Sequence, residues 1–323
     1  MLNGDTESST SGTGSSSRRA ERVLVVGAAG QLGAALVAQS WPVGTFVLPA
    51  TRDQLDITDR EAVRSYVEHW QPTVVVNAAA YTAVDAAEEH PKLAAAINHQ
   101  AVDNLAAATE AVDGKLIHIS TDYVFDGASP GWYTEHDQVN PLSVYGRSKR
   151  AGELAALCLD DALVIRTSWL YSSLGSNFVK TIRKLGRTRS SLEVLDDQHG
   201  CPTSADELAQ AIVAAIGAGL GYSGLFHVAS PDDATWWDLA DEVLRLDGTR
   251  EGVHLSRIGT DGYPVAATRP ADSRICSDAF AAAYGIVLSP WREALAAVST
   301  KLDRQDLNHP DLVSEPMGTT VGT

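Results

Sequence analysis

Apolar residues along this chain gather in short unbroken runs, each followed by a stretch of helical periodicity. The runs are Val23-Leu24-Val25-Val26, Thr45-Phe46-Val47-Leu48, Thr73-Val74-Val75-Val76-Asn77, Lys115-Leu116-Ile117-His118-Ile119 and Ala162-Leu163-Val164-Ile165-Arg166-Thr167-Ser168. Runs of this length without polar alternation suit strands that are covered on both faces. Helical patterns lie between them: through Leu36 and Val37, from a capping box at Thr58 and Glu61, from about Pro91 to Val112, and from Tyr145. Strands alternating with helices in this way predict an α/β fold, a Rossmann-type doubly wound parallel sheet.

Beyond Trp169 the alternation becomes irregular. A helix is expected over Asn177 to Gly186, a short strand over Leu192-Glu193-Val194-Leu195, and a loop from Asp196 to Thr203. A capped helix follows at Ser204 with Glu207, then Leu225-Phe226-His227-Val228-Ala229, a helix started by Thr235, a loop carrying Arg269-Pro270-Ala271-Asp272-Ser273, and a helix near Trp291 to Val298. This describes a smaller mixed α/β substrate-binding lobe. The expected division is a Ser/Gly/Thr-rich disordered tail at 1–20, a dinucleotide-binding domain carrying the catalytic residues at 21–170, mainly the second lobe at 171–300 with the chain free to cross between lobes, and a polar tail at 301–323.

Composition narrows the function classes. The 323 residues are 44% hydrophobic and 20% charged, ordinary values for a globular protein. A formal net charge of -16 and a pI near 4.9 argue against nucleic acid or an anionic membrane as partner, and the acidity is spread as on a solvated surface. Cys158, Cys201 and Cys276 show neither CxxC spacing nor a paired histidine, so no disulfide framework and no metal site is expected, and a cytoplasmic setting fits. No apolar stretch reaches the roughly 18 residues that span a bilayer, and residues 1–20 lack the apolar segment of a secretory signal.

The first strand runs straight into Gly27-Ala28-Ala29-Gly30-Gln31-Leu32-Gly33. Strand, glycine turn and helix in that order form a dinucleotide-site context: Gly27 for the tight turn, Gly30 for backbone approach to a pyrophosphate at a helix N-terminus, Gly33 for close helix–sheet packing. An NAD site usually puts an acid after the second strand to hold the ribose 2′-hydroxyl, whereas this chain has Thr51-Arg52. That favours a 2′-phosphate and hence NADPH, with NADH possible because Asp53 follows directly. Asp56 and Ile57 would lie near the adenine, or serve as plain scaffold. The small residues of Ala78-Ala79-Ala80-Tyr81-Thr82 would let a flat ligand rest against backbone. Asn98 is either structural or the holder of a relay water.

Ser120-Thr121 at a strand end and Tyr145-Gly146-Arg147-Ser148-Lys149 at a helix start supply a hydroxyl, a phenol and an ammonium. Reduction of a ketone needs a proton donor at the oxygen, and Tyr145 can give its proton to a nascent alkoxide. Lys149, on the same helix face, would stabilise the phenolate and lower a pKa that is near 10 in an unperturbed tyrosine, and could hold the nicotinamide ribose. Thr121 would orient the carbonyl oxygen. A YxxxK pair alone is common on exposed helices; joined to the strand-end hydroxyls and the glycine turn it points to hydride transfer.

These segments resemble the extended short-chain dehydrogenases/reductases, and within them the dTDP-4-dehydrorhamnose reductase family. The motifs that carry the likeness are GAAGQLG, LDITD, VVVNAAAYTAVDAAE, HISTDYVFDG, PLSVYGRSK, VIRTSWLY, VLDDQHGCPTS, FHVAS and RPADSR. The resemblance implies reduction of the 4-keto group of dTDP-4-dehydro-β-L-rhamnose by NAD(P)H, with Thr121, Tyr145 and Lys149 catalytic. By the same matching Gly30, Gln31, Leu32, Asp56, Ile57, Ala80, Tyr81 and Thr82 would touch the cofactor. Thr121, Asp122 and Trp169 would meet the sugar, and Gln198, Pro202 and Arg269 would face the nucleotide half. For Trp169 a core role is the competing reading, and for Arg269 simple solvation. Some members of the family dimerise through magnesium held by a glutamate two residues past the third glycine; Ala35 stands there, so a monomer or a homodimer without that bridging ion is expected. Competing readings are another nucleotide-sugar epimerase or a 4,6-dehydratase, against which Tyr123 stands where the dehydratase wants a glutamate. The other is a non-catalytic subunit like the β subunit of methionine adenosyltransferase, against which the intact Thr121, Tyr145 and Lys149 count.

Overall fold

The computed structural model describes residues 21–129 and 131–308. The chain runs β1 (Arg22–Val26), α1 (Gln31–Val37), β2 (Phe46–Ala50), α2 (Arg60–Trp70), β3 (Val74–Asn77), α3 (Val84–Glu89) and α4 (Pro91–Ala95). One π-helical turn (Ala96–Gln100) joins α4 to α5 (Ala101–Glu110), which is followed by β4 (Lys115–Thr121), α6 (Val144–Ala156) and β5 (Leu163–Thr167). The second half adds β6 (Leu170–Tyr171), α7 (Phe178–Thr188), β7 (Ser191–Leu195), β8 (His199–Gly200), β9 (Thr203–Ser204), α8 (Ala205–Gly217) and β10 (Gly224–His227). It ends with β11 (Ala234–Thr235), α9 (Trp236–Leu246), β12 (His254–Ile258), α10 (Asp278–Tyr284) and α11 (Trp291–Asn308).

Six parallel strands form the main sheet in the order β10-β5-β4-β3-β1-β2. Its strands alternate sides residue by residue, as the pleat requires. Val23, Val25, Val74, Val76, Ile117, Leu163 and Ile165 pack with Leu32 and Leu36 of α1 and with Leu208 and Ile212 of α8. Leu24, Val26, Val75, Leu116 and Val164 point the other way, to Val63 and Val67 of α2 and Leu105 of α5. The all-apolar runs thus reflect helices on both faces. Ala35 is buried in the first of these layers. A separate core holds the smaller lobe: Val179 and Ile182 of α7, Val243 of α9, Leu255 of β12, and Trp291, Leu295 and Val298 of α11.

The structure amends several of the sequence expectations. Within residues 171–300 the chain crosses back to the main sheet: α8 packs beside α1, and β10 completes the sheet against β5, Phe226 opposite Ile165. An apolar run tells that a strand is buried but not in which sheet, so the return of the chain was invisible locally. Helix α2 is capped by Asp59, whose carboxylate accepts from the Glu61 and Ala62 amides, while Thr58 bonds Asp56 instead of forming a capping box. Ser204 precedes α8 without a side-chain cap, and Glu207 accepts from the Ser289 amide. Residues 301–308 are no loose tail but the end of α11, with Leu302 buried and Asp303 and Asp306 paired to Arg183 of α7. The expected tails at 1–20 and 309–323 lie outside the described residues.

Behind the sheet sits a buried polar cluster. Glu153 of α6 takes both Arg166 of β5, at 2.7 and 2.8 Å, and the Ser120 hydroxyl at 2.6 Å, with Arg150 closing over it. His227 of β10 lies 3.4 Å from Arg166, and His118 of β4 lies 3.1 Å from the Asn77 amide. Burial holds both imidazoles neutral: His227 falls to about 3 through burial and then Arg166, and His118 falls well below its usual range through burial and then Lys149. A lowered folded-state pKa means that the unfolded chain takes up protons first as pH drops. Stability contributed by the neutral rings is therefore expected to decline from about pH 6.5 downward, toward pH 3 for His227. Urea midpoints measured across this range should fall more steeply for the wild type than for His227→Gln. Equal slopes would show that His227 does not titrate on unfolding.

Candidate active site

In an open parallel sheet a crevice forms where the strand order reverses. Here that point lies between β1 and β3, and the turn after β1 sits directly against the segment after β3. Gly27, at φ 76°, has no room for a side chain: a Cβ would stand 2.7 Å from the Ala79 amide nitrogen. Gly33 is equally constrained, since its Cβ would lie 2.1 Å from the Gly27 carbonyl. Those two glycines let α1 close onto the sheet and leave Gly30, Gln31 and Leu32 facing open space.

That space is a cleft of about 860 Å³. Arg52, Asp56 and Ile57 line one end, Gly27, Gly30, Gln31, Leu32, Ala80 and Thr82 the middle, and Thr121, Asp122, Tyr145, Lys149 and Trp169 the far end. Gly33 and Tyr81 stand behind the wall. The Tyr81 backbone is gripped instead by Asn98, which accepts from its amide at 2.8 Å, donates to its carbonyl at 3.0 Å, and donates to the Ser148 hydroxyl at 2.9 Å. These bonds occupy the Asn98 side chain structurally; the π-helical turn is what aims it between the cleft floor and α6.

Two elements, β4 and α6, converge on the far end. β4 ends at Thr121, while Ser143 caps α6 through the Gly146 amide and so starts the helix that carries Tyr145 and Lys149. Gly146 packs where a Cβ would lie 2.2 Å from the Tyr123 carbonyl, which draws the helix start onto the β4 end. Burial pushes the Tyr145 phenol up to about 12, with the Thr121 hydroxyl opposing and Asp122 reinforcing the rise. Lys149 is lowered to about 8 by burial, with Glu153 opposing. Its ammonium donates to the Ile119 carbonyl. This departs from the expected division of labour, in which Lys149 lowers the phenol pKa: in this arrangement the lysine is turned to backbone, and desolvation governs the tyrosine. A phenol near 12 is protonated at neutral pH, the form a proton donor needs.

Asp122 was expected to meet the sugar. Its carboxylate instead receives three hydroxyls, from Thr121 at 3.0 Å, Ser168 at 2.9 Å and Ser273 at 2.5 Å. Burial still raises it to about 6. It lines the cleft, but its oxygens tie together β4, the end of β5 and the loop from the smaller lobe.

The expected nucleotide contacts fare differently from the rest. Gln198, Pro202 and Arg269 are absent from the cleft wall. Gln198 is buried between the Trp236 indole N–H, 3.2 Å, and the Thr260 hydroxyl, 3.1 Å. Arg269 is buried against Asp85 at 2.7 and 3.1 Å. Sequence could not foresee that pairing because the two residues lie far apart along the chain. Cleft residues that escaped sequence reading include Asn177, whose amide donates 2.9 Å to Gln31, Phe178 and Trp236. Asn177 stood at the start of a helical pattern and Trp236 just after a capping threonine, positions that signal helix ends, not ligands.

A parallel sheet with a glycine turn at its switch point and a Thr/Tyr/Lys end defines a nicotinamide-dependent oxidoreductase of the extended short-chain class. The chain matches the family described as RmlD substrate binding domain over residues 21–304, and it belongs to that family. A dTDP-4-dehydrorhamnose reductase of Sinorhizobium fredii is 40% identical over 281 residues, covering 84% of this chain and 95% of the relative. A dTDP-4-keto-6-deoxy-D-glucose reductase of Streptomyces niveus is 40% identical over 277 residues, covering 85% and 95%. Among solved structures, a dTDP-4-dehydrorhamnose reductase of Bacillus anthracis in complex with NADP superposes with a TM-score of 0.84 at 34% identity, over 88% of this chain and all of that one.

Proposed function

We propose that this protein reduces the 4-keto group of dTDP-4-dehydro-β-L-rhamnose with NADPH to give dTDP-L-rhamnose. The observation that carries the reading is the convergence of Thr121, Tyr145 and Lys149 on the end of a cleft whose middle is the glycine turn. The named relatives supply the substrate class. The cleft fits a dinucleotide: Gly30 keeps the turn open, and Arg52 stands at the end where a 2′-phosphate would lie. When bound there, the reduced nicotinamide supplies a hydride to C4.

The residues of the chain do the rest. Tyr145, protonated at working pH, gives its proton to the O4 alkoxide as charge develops. The Thr121 hydroxyl, fixed by Asp122, keeps the phenol oriented toward that oxygen. Lys149, held by the Ile119 carbonyl on the same cleft wall, would hold the nicotinamide ribose. The sheet half would hold the cofactor, and the wall built by Trp169 and Phe178 would hold the sugar. Among the described residues no helix is long and apolar enough to cross a membrane. We take the protein to be a cytoplasmic enzyme, monomer or homodimer.

The test is NADPH oxidation with enzymatically prepared dTDP-4-dehydro-L-rhamnose, run beside its D-configured precursor dTDP-4-keto-6-deoxy-D-glucose. Turnover of the L-sugar is expected; turnover of the D-sugar alone would transfer the assignment to the activity named for the Streptomyces relative. Cofactor choice is a separate expectation. Arg52→Ala should raise KM for NADPH roughly tenfold, the loss of one charge-assisted phosphate contact, and leave KM for NADH nearly unchanged. An unaltered NADPH/NADH ratio would remove Arg52 from the 2′-phosphate.

A further inference from the structure

Trp169 is held in an unusual way. Its backbone is left-handed, φ 44°, a conformation that a bulky residue adopts only when its surroundings impose it. Its indole stacks on that of Trp236 with centroids 3.6 Å apart and planes 6° from parallel. Behind the ring lies Gly200, where a Cβ would stand 2.3 Å from Cε2 and 2.5 Å from Nε1. That Nε1 is buried with no hydrogen-bond partner, so the ring is set by contact and not by its polar handle.

Neither wall of this slot can retreat. Gly200 is in a two-stranded ladder opposite Ala234, and the amide and carbonyl of neighbouring His199 bond Ala271 and Ser273. Trp236 begins α9 behind the Thr235/Asp238 capping box, its N–H is taken by Gln198, and Phe178 leans on its far side at 4.7 Å.

We infer that Gly200 and Trp236 are positioning residues for the substrate: they clasp the Trp169 indole between them, fix the ring edge that it presents to the cleft and the sugar, and so determine sugar-nucleotide affinity without touching the hydride step. The inference rests on the function proposed above. It also gives Gln198 a role, as the residue that turns Trp236.

Gly200→Ala must tilt or expel the Trp169 ring. Two readouts separate positioning from mere stability. The first is the far-ultraviolet exciton couplet of the stacked indoles in the free protein, expected to collapse in Gly200→Ala and to vanish in Trp236→Phe, which removes one chromophore without adding bulk. The second is a split in kinetics: KM for the sugar nucleotide should rise roughly tenfold to a hundredfold in Gly200→Ala, and several-fold in Trp236→Phe, with KM for NADPH unchanged. Unchanged sugar-nucleotide KM, or an equal rise for NADPH, overturns the inference. If Gly200→Ala does not fold, Trp236→Phe decides by the same criteria. If the wild type turns over no 4-keto sugar, the functional reading fails by itself, and the slot is judged by the couplet: a wild-type couplet in Gly200→Ala overturns it.

Discussion

Tyr145→Phe is expected to lower kcat by about 10²- to 10⁴-fold, the usual contribution of a positioned general acid, while NADPH binding stays near wild type. The substitution removes one oxygen from a half-buried ring that packs edge-on against Tyr123, at 6.1 Å and 79°, so the packing is retained. What disappears is the proton source beside Thr121. Fluorescence titration of NADPH checks the cofactor half, and steady-state turnover of the keto sugar checks the chemical half. A wild-type rate in this variant would refute the donor assignment even if the protein proves to be a reductase. Thr121→Val is the companion case, since it removes the hydroxyl beside the phenol and with it one of the three donors to Asp122.

The largest expected loss of stability is at Glu153. Truncation to alanine leaves the Arg166 guanidinium buried with no carboxylate, stacked only over Phe125 at 5.0 Å, and strips the Ser120 hydroxyl of its acceptor. Breaking one partner of such a pair typically costs about 3–5 kcal/mol. Arg166 and Arg150 hold the Glu153 carboxyl below its usual range against the opposing effect of burial, so the pair stabilises the fold at neutral pH and loses that contribution as pH falls. Denaturant midpoints of Glu153→Ala and of Glu153→Met/Arg166→Met should differ, the double variant recovering much of the loss because no unpaired charge remains. Equal midpoints would mean that packing, not the stranded arginine, sets the penalty.

Backbone periodicity conveyed the architecture because the sheet is covered on both faces: an unbroken Val-Val-Val run can hardly be anything but an interior strand. The glycine turn and the Thr121/Tyr145/Lys149 set were legible for a related reason, being local in sequence and tied to strand and helix ends. What was not legible is every feature made by residues far apart along the chain. Arg269 looked like a phosphate ligand until Asp85 was found beside it. Asp122 looked like a sugar contact until Ser168 and Ser273 were found on it. Gln198 looked like a substrate contact until its amide was found turned inward, to Trp236 and Thr260. Side-chain type and spacing state what a residue can do; only the fold states what has already claimed its hydrogen bonds.

The late return of the chain to the main sheet has a consequence for synthesis. Strand β5 pairs with β4 on one side and, on the other, only with β10, more than fifty residues downstream. A nascent chain that has not yet released Gly224–His227 from the ribosome therefore carries Leu163–Thr167 as an open, apolar edge, the kind of strand on which other chains can template. Fragments ending between Thr167 and Gly224 are expected to bind holdase chaperones or aggregate, and those extended through α10, whose Phe280 joins the same core, to be released as soluble protein. Solubility of a truncation series reads this directly, and a soluble monomeric fragment ending at Gly217 would contradict it.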